Sequence, residues 1–462
     1  MDLFQRFCAG FSALAWGTPL LVLLLGGGLF FTIYSRFLPF RYFKHAIDVL
    51  RGKYDDPDAE GDIDHYEALS GAIAATVGMG NISGVAVALV AGGPGALFWM
   101  WISALLGMAT KFFTCTLSVM YRGHDSHGHA EGGPMYFIEE GLGKKWKPLA
   151  VFFALAGLFG VTPMFQANQL TEVLRTVVFV EVIPAEANIH LVNFIIGMVI
   201  LVLVSIVIFG GIERIGTVAG KLVPVMVVIY VVAVLTMIVM NVEKLPGIID
   251  DIFEGAFNFR SVGGGALGAV IMIGAKRAAF SNEAGIGTAP MMHGAAKTDE
   301  PVREGLVAMI GPFIDTIVVC TMTALAIMSS GVYDQTAKKV DGVLLTTEAF
   351  KAAFPVGGAG VLSVCVLFFA LTTLFSFSYY GTKCLGYLIG ADKKHYFNYF
   401  YVCMIVVGAM IKLEAIINLI DGVYATMAIP TMVGALLLSP KVRQASIDYF
   451  ERMDKIDYKR RY

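Results

Sequence analysis

Charge is scarce in this chain. Charged side chains make up 15% of its 462 residues and the net formal charge is −2, where a soluble globular protein carries about a quarter of its residues charged. Nucleic-acid binding, which needs a clustered basic surface, is not served by such a balance. Cysteine is equally thin. Cys8, Cys115, Cys320, Cys365, Cys384 and Cys403 are scattered without a CxxC pair, which excludes both a disulfide framework and a thiolate metal site. No GxxxxGK[ST] loop is present to cradle a nucleotide, so ATP-driven work has no engine. An HExxH motif and a Ser/His/Asp set are also missing, and enzymatic function has nothing to support it. His124, His127 and His129 lie close together, but without an accompanying Cys or carboxylate pattern they read as a solvated loop. The start of the chain lacks a basic n-region and a small-residue cleavage site, so the first apolar run is expected to be a retained helix.

Hydrophobic residues, in contrast, reach 57%, and they come in runs long enough to span a bilayer, about 20 residues each. Eleven runs are recognisable, at 15–37, 67–92, 94–120, 147–174, 191–210, 217–240, 265–291, 303–330, 356–382, 396–411 and 414–438. An all-α polytopic protein of the cell (inner) membrane is expected, with the lipid bilayer as its surroundings and no obligate protein partner evident. The first run stands apart. The other ten divide into five and five, giving an N-terminal helix and connector (1–66), two five-helix units (67–240 and 241–438) and a basic tail (439–462). Of the 34 Lys and Arg, 23 fall in or beside the connections on one side and eight on the other. By the positive-inside rule the chain starts outside and its tail lies in the cytoplasm.

Each five-helix unit opens with a run that glycine and polar residues interrupt. The first interruption is Ala75-Thr76-Val77-Gly78-Met79-Gly80-Asn81-Ile82-Ser83-Gly84, and the second spans Ile273 to Gly285. In hydrocarbon an interrupted helix survives only where protein or a water-lined cavity covers the break. Paired breaks in two halves of a membrane chain point to a transporter's binding site. Unwinding at Gly78-Met79-Gly80 frees backbone groups, and glycine lets a small ligand approach them. A half-helix N-terminus attracts a carboxylate and freed carbonyls attract a cation, a combination suited to an amino-acid zwitterion with Na⁺. Thr76 and Asn81 are candidates to hydrogen-bond the carboxylate or to ligate sodium. The competing reading is that these glycines merely let helices pack closely. In the second break Ile273, Gly274 and Ala275 are expected to form the unwound backbone. Lys276, Arg277 and Glu283 are intramembrane charges, and Arg277 and Glu283 are expected to pair with each other or with Asp315. Gln166 and Asn168, beside Pro163, either contact substrate or join helices. A channel is the rival from another class, but it would need repeated polar rings along its path.

The series Thr76–Val85, Gly92-Gly93-Pro94-Gly95-Ala96-Leu97-Phe98-Trp99-Met100-Trp101 and Gly107-Met108-Ala109-Thr110-Lys111 resembles the first signature block of the alanine/glycine:cation symporters. Gly132-Gly133-Pro134-Met135-Tyr136, Lys276-Arg277 with Ser281–Gly285, Asp315-Thr316 and Ser378-Tyr379-Tyr380-Gly381 resemble further blocks, so the likeness covers roughly residues 15–440 in order. The resemblance implies a leucine-transporter-type five-plus-five inverted repeat, with the one extra N-terminal helix, that takes up small neutral amino acids with sodium as the coupling ion and no other cofactor. It implies a substrate site around Thr76, Gly78, Met79, Gly80, Asn81, Gln166, Asn168, Ile273, Gly274 and Phe377. It also implies a sodium site of Thr372 or Thr373 with the carbonyls of Ala75, Gly78 and Ala370. Relatives usually have Thr where Met79 stands and Gly-Trp where Ser376-Phe377 stand, which leaves a shift toward a larger neutral amino acid open. Lys221, early in the sixth run, is the candidate for replacing sodium by a proton in the alternative coupling.

Overall fold

The apolar runs fold as helices because the hydrocarbon offers no water to satisfy a free backbone. The computed structural model describes residues 3–56, 58–125, 128–184, 186–257, 265–333 and 342–461, with side chains undescribed at 265–267 and 454–461. His127, Arg260, Lys338, Lys339 and the side chains of Lys455, Lys459, Arg460 and Arg461 lie outside what is described.

The expected span at 15–37 is instead a bent pair, α1 (Leu3–Ala15) and α2 (Thr18–Tyr34), meeting at 52°. Extended Gly17 (ψ 170) and Pro19 in the first turn of α2 cause the bend, since proline supplies no N–H to continue α1. The next pair, α3 (His65–Thr76) and α4 (Gly80–Gly92), meets at 50°, where the first break was expected. A capping box starts α3: the Asp64 carboxylate accepts from Glu67 N at 2.6 Å and Glu67 Oε2 accepts from Asp64 N at 3.3 Å, satisfying two orphan donors at once. There follow α5 (Gly95–Met120), α6 (Lys147–Gly160) and α7 (Met164–Val173), the last two interrupted at Thr162-Pro163, then α8 (Ile189–Ile208) and α9 (Gly211–Met240). The second half holds α10 (Leu245–Phe257), α11 (Gly265–Asn282), α12 (Ala289–His293), α13 (Pro301–Ser329), α14 (Val343–Ala353), α15 (Gly358–Ile389), α16 (Tyr396–Met410) and α17 (Leu413–Arg461). Among the described residues seven helices are long and apolar enough to cross a membrane, and nine when each bent pair counts as one. The chain is therefore an integral membrane protein. α11, which carries Lys276 and Arg277 within its 18 residues, and α16, at 15 residues, fall outside that count.

Two expectations need correction. The second break is not at Ile273–Ala275, which lie inside the uninterrupted α11; the chain leaves helix at Glu283 (φ 56), Gly285 (φ 85) and Gly287 (φ 107). The tail from 439 is not a separate segment either, because α17 runs through it to Arg461.

Burial sorts the helices into layers. α13 and α17 are 72% buried over their apolar windows, whereas α8 and α9 are only 28% buried and turn Ile, Leu and Val outward. The connections counted as basic meet at one end. Arg122 there donates to the carbonyls of Gly294 (2.8 Å), Thr298 (3.0 Å), Glu60 (3.1 Å) and Ala296, and Arg452 pairs with Glu300 at 2.6 Å. At that end the first turn of α3 is also tied down: His65 and His293 each hydrogen-bond one oxygen of the buried Glu304.

Candidate functional site

The first break is lined from three sides. α3 ends at Thr76, whose hydroxyl donates back to Ala72 O at 3.0 Å. Val77 leaves the helix (ψ 87), and Asn81 N donates to Gly78 O at 3.1 Å as the chain re-enters a π-type turn. Gly78 is required here by space: a Cβ on it would overlap Thr373 Oγ1. Met79 is fully buried, and a Cβ on Gly80 would stand 3.4 Å from the Phe280 ring. Phe280 in turn meets Phe165 edge-on at 4.9 Å between centroids. A wall of α11 and α7 thus covers the unwound backbone.

Opposite, α15 brings Thr373. Its hydroxyl lies 3.0 Å from Ala74 O and 2.9 Å from Phe369 O. These two carbonyls each precede by one residue the Ala75 and Ala370 that the resemblance indicated. With Gly78 against the same oxygen, they make a small, buried, oxygen-rich point at the C-terminal end of α3. Helix carbonyls left without partners carry partial negative charge, and a hard cation prefers such oxygen ligands. Thr372 differs. Its hydroxyl donates to Phe368 O (2.9 Å), with Phe369 O at 3.2 Å, and faces Met226 Sδ of α9 (3.6 Å), so it is shared with α9 rather than with the end of α3. Phe377, one turn on, is buried and its ring lies 6.0 Å from that of Tyr380.

Asn81 is the most connected residue of the break. Its Oδ1 accepts from Gly78 N at 2.9 Å, while its Nδ2 faces Asp315 Oδ1 (2.7 Å), Asp315 O (3.0 Å) and Ser281 Oγ (3.2 Å). Asp315, on α13, also accepts from Ser281 (2.7 Å) and Thr316 (2.9 Å). Next to it on α4, Ser83 donates to Gln169 Oε1 at 2.6 Å, a contact the sequence reading missed. The amide of Gln169 falls beside Asn168 in the polar face of α7, and that spacing was the available signal. Phe280 and Phe369 were missed too; nothing in an apolar run marks which aromatic or which carbonyl turns toward a break.

The remaining expected residues divide. Gln166 is buried and its Oε1 has no hydrogen-bond partner among the described residues, which leaves it available to a ligand. Asn168 is committed elsewhere: its Nδ2 donates to Ile411 O (2.7 Å) and Gly408 O (3.1 Å), closing the end of α16. Gly274 is a packing residue, with Ala96 O 2.7 Å and Trp99 Cβ 2.6 Å from where its Cβ would lie, and Ile273 packs toward Gly92. Both sit in continuous helix rather than in the unwound backbone expected of them. Arg277 pairs neither with Glu283 nor with Asp315; it and Lys276 (2.8 Å) both hold Asp421 of α17. Glu283 accepts instead from Thr288 (2.5 Å) and Tyr424 (3.2 Å). Lys221 is exposed on α9. His124 hydrogen-bonds Glu60 at 2.9 Å, and no group of three His, Cys, Asp or Glu among the described residues is placed to hold a metal ion.

The family model for the sodium:alanine symporter family matches residues 1–461. The chain belongs to the sodium:alanine symporter family. Among relatives of this family, the sodium/alanine symporter AgcS of Methanococcus maripaludis is 40% identical over 434 residues, 93% of each chain. An uncharacterized transporter of Haemophilus influenzae is 38% identical over 456 residues, 97% of each. The probable sodium/glutamine symporter GlnT of Bacillus subtilis is 36% identical over 439 residues, 94% of this chain and 88% of its own. Solved structures share the fold at low identity. MhsT in complex with L-phenylalanine superimposes with a TM-score of 0.59 at 13% identity, over 82% of this chain and 89% of that one. The Eremococcus coleocola manganese transporter does so with 0.58 at 14%, over 82% of each. This family member is thus a sodium-coupled amino-acid symporter of leucine-transporter-type fold, and not an enzyme.

Proposed function

We propose that the substrate is a small neutral amino acid, alanine or glycine first, imported with sodium. The observation that carries this reading is the buried Val77–Gly80 backbone, unwound at Val77-Gly78 and pressed between Thr373 and Phe280. Its space is narrow, so a short side chain fits beside it. In this reading Thr76, Gly78, Met79, Gly80, Asn81, Gln166 and Phe377 surround the amino acid. Sodium sits at Thr373 with the carbonyls of the α3 end and Phe369. The name of the Methanococcus relative agrees with alanine, and that of GlnT shows why glutamine belongs in the test panel. Exposure of Lys221 gives proton replacement no footing beside Thr373. The two five-helix units, 67–240 and 241–438, and an outside N-terminus with a cytoplasmic tail, complete the proposal. Reconstituted protein in liposomes with an imposed Na⁺ gradient tests it against a panel of labelled amino acids. Alanine and glycine should give saturable uptake that collapses with the gradient. Undiminished uptake in Na⁺-free buffer, driven by a pH gradient, would overturn it.

A further inference from the structure

Buried or half-buried arginines of this chain are matched to oxygen: Arg122 to four carbonyls, Arg277 to Asp421 and Arg303 to Tyr54 O. Three arginines near the distal part of α17 are not. Among the described residues no ion pair or side-chain hydrogen bond engages Arg36, Arg41 or Arg443. All three line one cavity of about 310 Å³, between the turn that ends α2, the short helix Leu38–Arg41 and the stretch of α17 beyond Pro440. Aromatic rings hold two of them in place. Arg443 stands over the Tyr34 ring at 4.8 Å and Arg41 over Tyr42 at 5.4 Å, while Tyr42 stacks on Phe450 with 3.6 Å between centroids. Buried Phe113 of α5 also lines it. A ring face steadies a guanidinium without neutralising it, so the N–H groups remain available to an anion. Glu451 is the one carboxylate of the lining, which therefore carries three positive charges against one negative. The turn before it is unusual as well. Arg36 (φ 56) and Phe37 (φ 59) are consecutive non-glycine residues in the left-handed region, where bulky side chains are strained. Beside the cavity Ile33, Phe37, Phe40 and Ile447 turn large apolar side chains outward. A soluble anion has no use for that surface, whereas an acyl chain does.

We propose that the cavity between Arg36, Arg41 and Arg443 binds the phosphate of an anionic phospholipid, with the acyl chains lying against the outward face of Ile33, Phe37 and Phe40. Guanidinium forks match phosphate oxygens in pairs, and a basic pocket between helices where an apolar span ends is suited to a lipid headgroup. The headgroup ties the end of α2 to the distal part of α17, two elements joined there through aromatic stacking and arginines that repel one another. Bound lipid thereby stabilises this end of the bundle, and a neutral lipid does so far less.

Native mass spectrometry of the full chain in detergent, titrated with phosphatidylglycerol and with phosphatidylcholine of the same acyl chains, tests the site. Wild type should bind phosphatidylglycerol more than about tenfold tighter, since each arginine near a phosphate is worth roughly fivefold. Equal affinity for the two lipids overturns the site whatever the variants do. Arg36→Gln/Arg443→Gln should lose roughly 25-fold for phosphatidylglycerol and keep the wild-type affinity for phosphatidylcholine. Lys44→Gln/Arg51→Gln removes two exposed charges of the same connector outside the cavity and should keep the preference. Equal losses in the two double variants would mean a diffuse attraction to charge and overturn the site. Arg443→Lys keeps the charge without the fork and should weaken phosphatidylglycerol binding by a smaller factor than Arg443→Gln; wild-type affinity in both would remove Arg443 from the site. Glycerol 3-phosphate distinguishes the source of the phosphate. It should leave the lipid bound at equal concentration, and displacement there would assign the cavity to a soluble phosphate compound and overturn the lipid. The thermal unfolding midpoint supplies an independent readout, rising with phosphatidylglycerol in wild type and staying flat in Arg36→Gln/Arg443→Gln; an equal rise in both would overturn the stabilising role.

Discussion

A single methyl group discriminates between the two readings of the first break. If Gly78 only lets helices pack, Gly78→Ala should mainly lower expression and stability. The Cβ would overlap Thr373 Oγ1, so on the proposed site the methyl strikes the ion and substrate positions. Overpacking of this kind costs about 1–3 kcal/mol, roughly a 5- to 150-fold loss of affinity. We expect Gly78→Ala to lose alanine binding by that order while eluting as a monodisperse species from a sizing column. The two threonines separate in the same way. Thr373 faces Ala74 O and Phe369 O, whereas Thr372 faces Met226. Thr373→Ala should therefore raise the apparent KM for Na⁺ far more than Thr372→Ala, and equal effects would place the ion elsewhere. Under the proposed site, selectivity is expected to be read at Met79 and Phe377. Both are buried, at positions where the family resemblance leads one to expect Thr and Trp. Methionine is apolar and adaptable, and one methylene in an apolar pocket is worth roughly 10–200-fold in discrimination. The double substitution Met79→Thr/Phe377→Trp should shift competition by larger neutral amino acids relative to alanine; identical profiles would show that neither position reads the side chain.

At the level of elements, the first break was legible in the sequence and the second only in part. Gly78 and Gly80 inside an apolar run admit few explanations, and the chain does bend there. Residues 273–275 failed because Gly274 serves close packing on Trp99, a use of glycine that periodicity does not distinguish from unwinding. The true exit from α11 lies at Glu283, a non-glycine residue with positive φ, and no local preference announces that conformation. The charges misled for a related reason: sequence proximity suggested Arg277 with Glu283, yet the partner is Asp421, 144 residues away. Asp421 now joins three helices, since Trp16 Nε1 of the α1–α2 bend donates to its carbonyl at 2.7 Å and Lys276 also reaches Ser12. Removing one partner of a buried ion pair costs about 3–5 kcal/mol. Asp421→Ala should accordingly lower the thermal unfolding midpoint in detergent by many degrees and loosen α1, with Asp421→Asn intermediate. An unchanged midpoint would mean that Arg277 finds another acceptor.

For the whole molecule, membrane spanning by helices was the easiest property to read, because hydrocarbon thickness sets helix length and leaves few alternatives. The bent N-terminal pair escaped notice because Gly17-Thr18-Pro19 sits at the edge of an apolar run rather than in its middle. Arg122, Arg303 and Arg452 gather at one end of the bundle, the end that the positive-inside reading assigns to the cytoplasm. A fluorescent protein fused after Tyr462 should fold and emit, while an alkaline phosphatase fused at the same point should stay inactive. The reverse pair of results would invert the orientation.

The length of α17 has a mechanical consequence. Forty-nine residues in one helix amount to about 74 Å of contour, more than twice the thickness of the hydrocarbon. Inside the bundle this rod touches Glu283 through Tyr424; far along it, Tyr449 meets His45 and Arg452 meets Glu300. Pro430 and Pro440 lie between and mark where such a lever would flex. A small tilt at the Tyr424 level would become a larger sweep at the far end, so the distal turns of α17 are expected to report the state of the site. Spin labels near the distal turns and on the 38–66 connector should record distances that change when sodium and alanine are added.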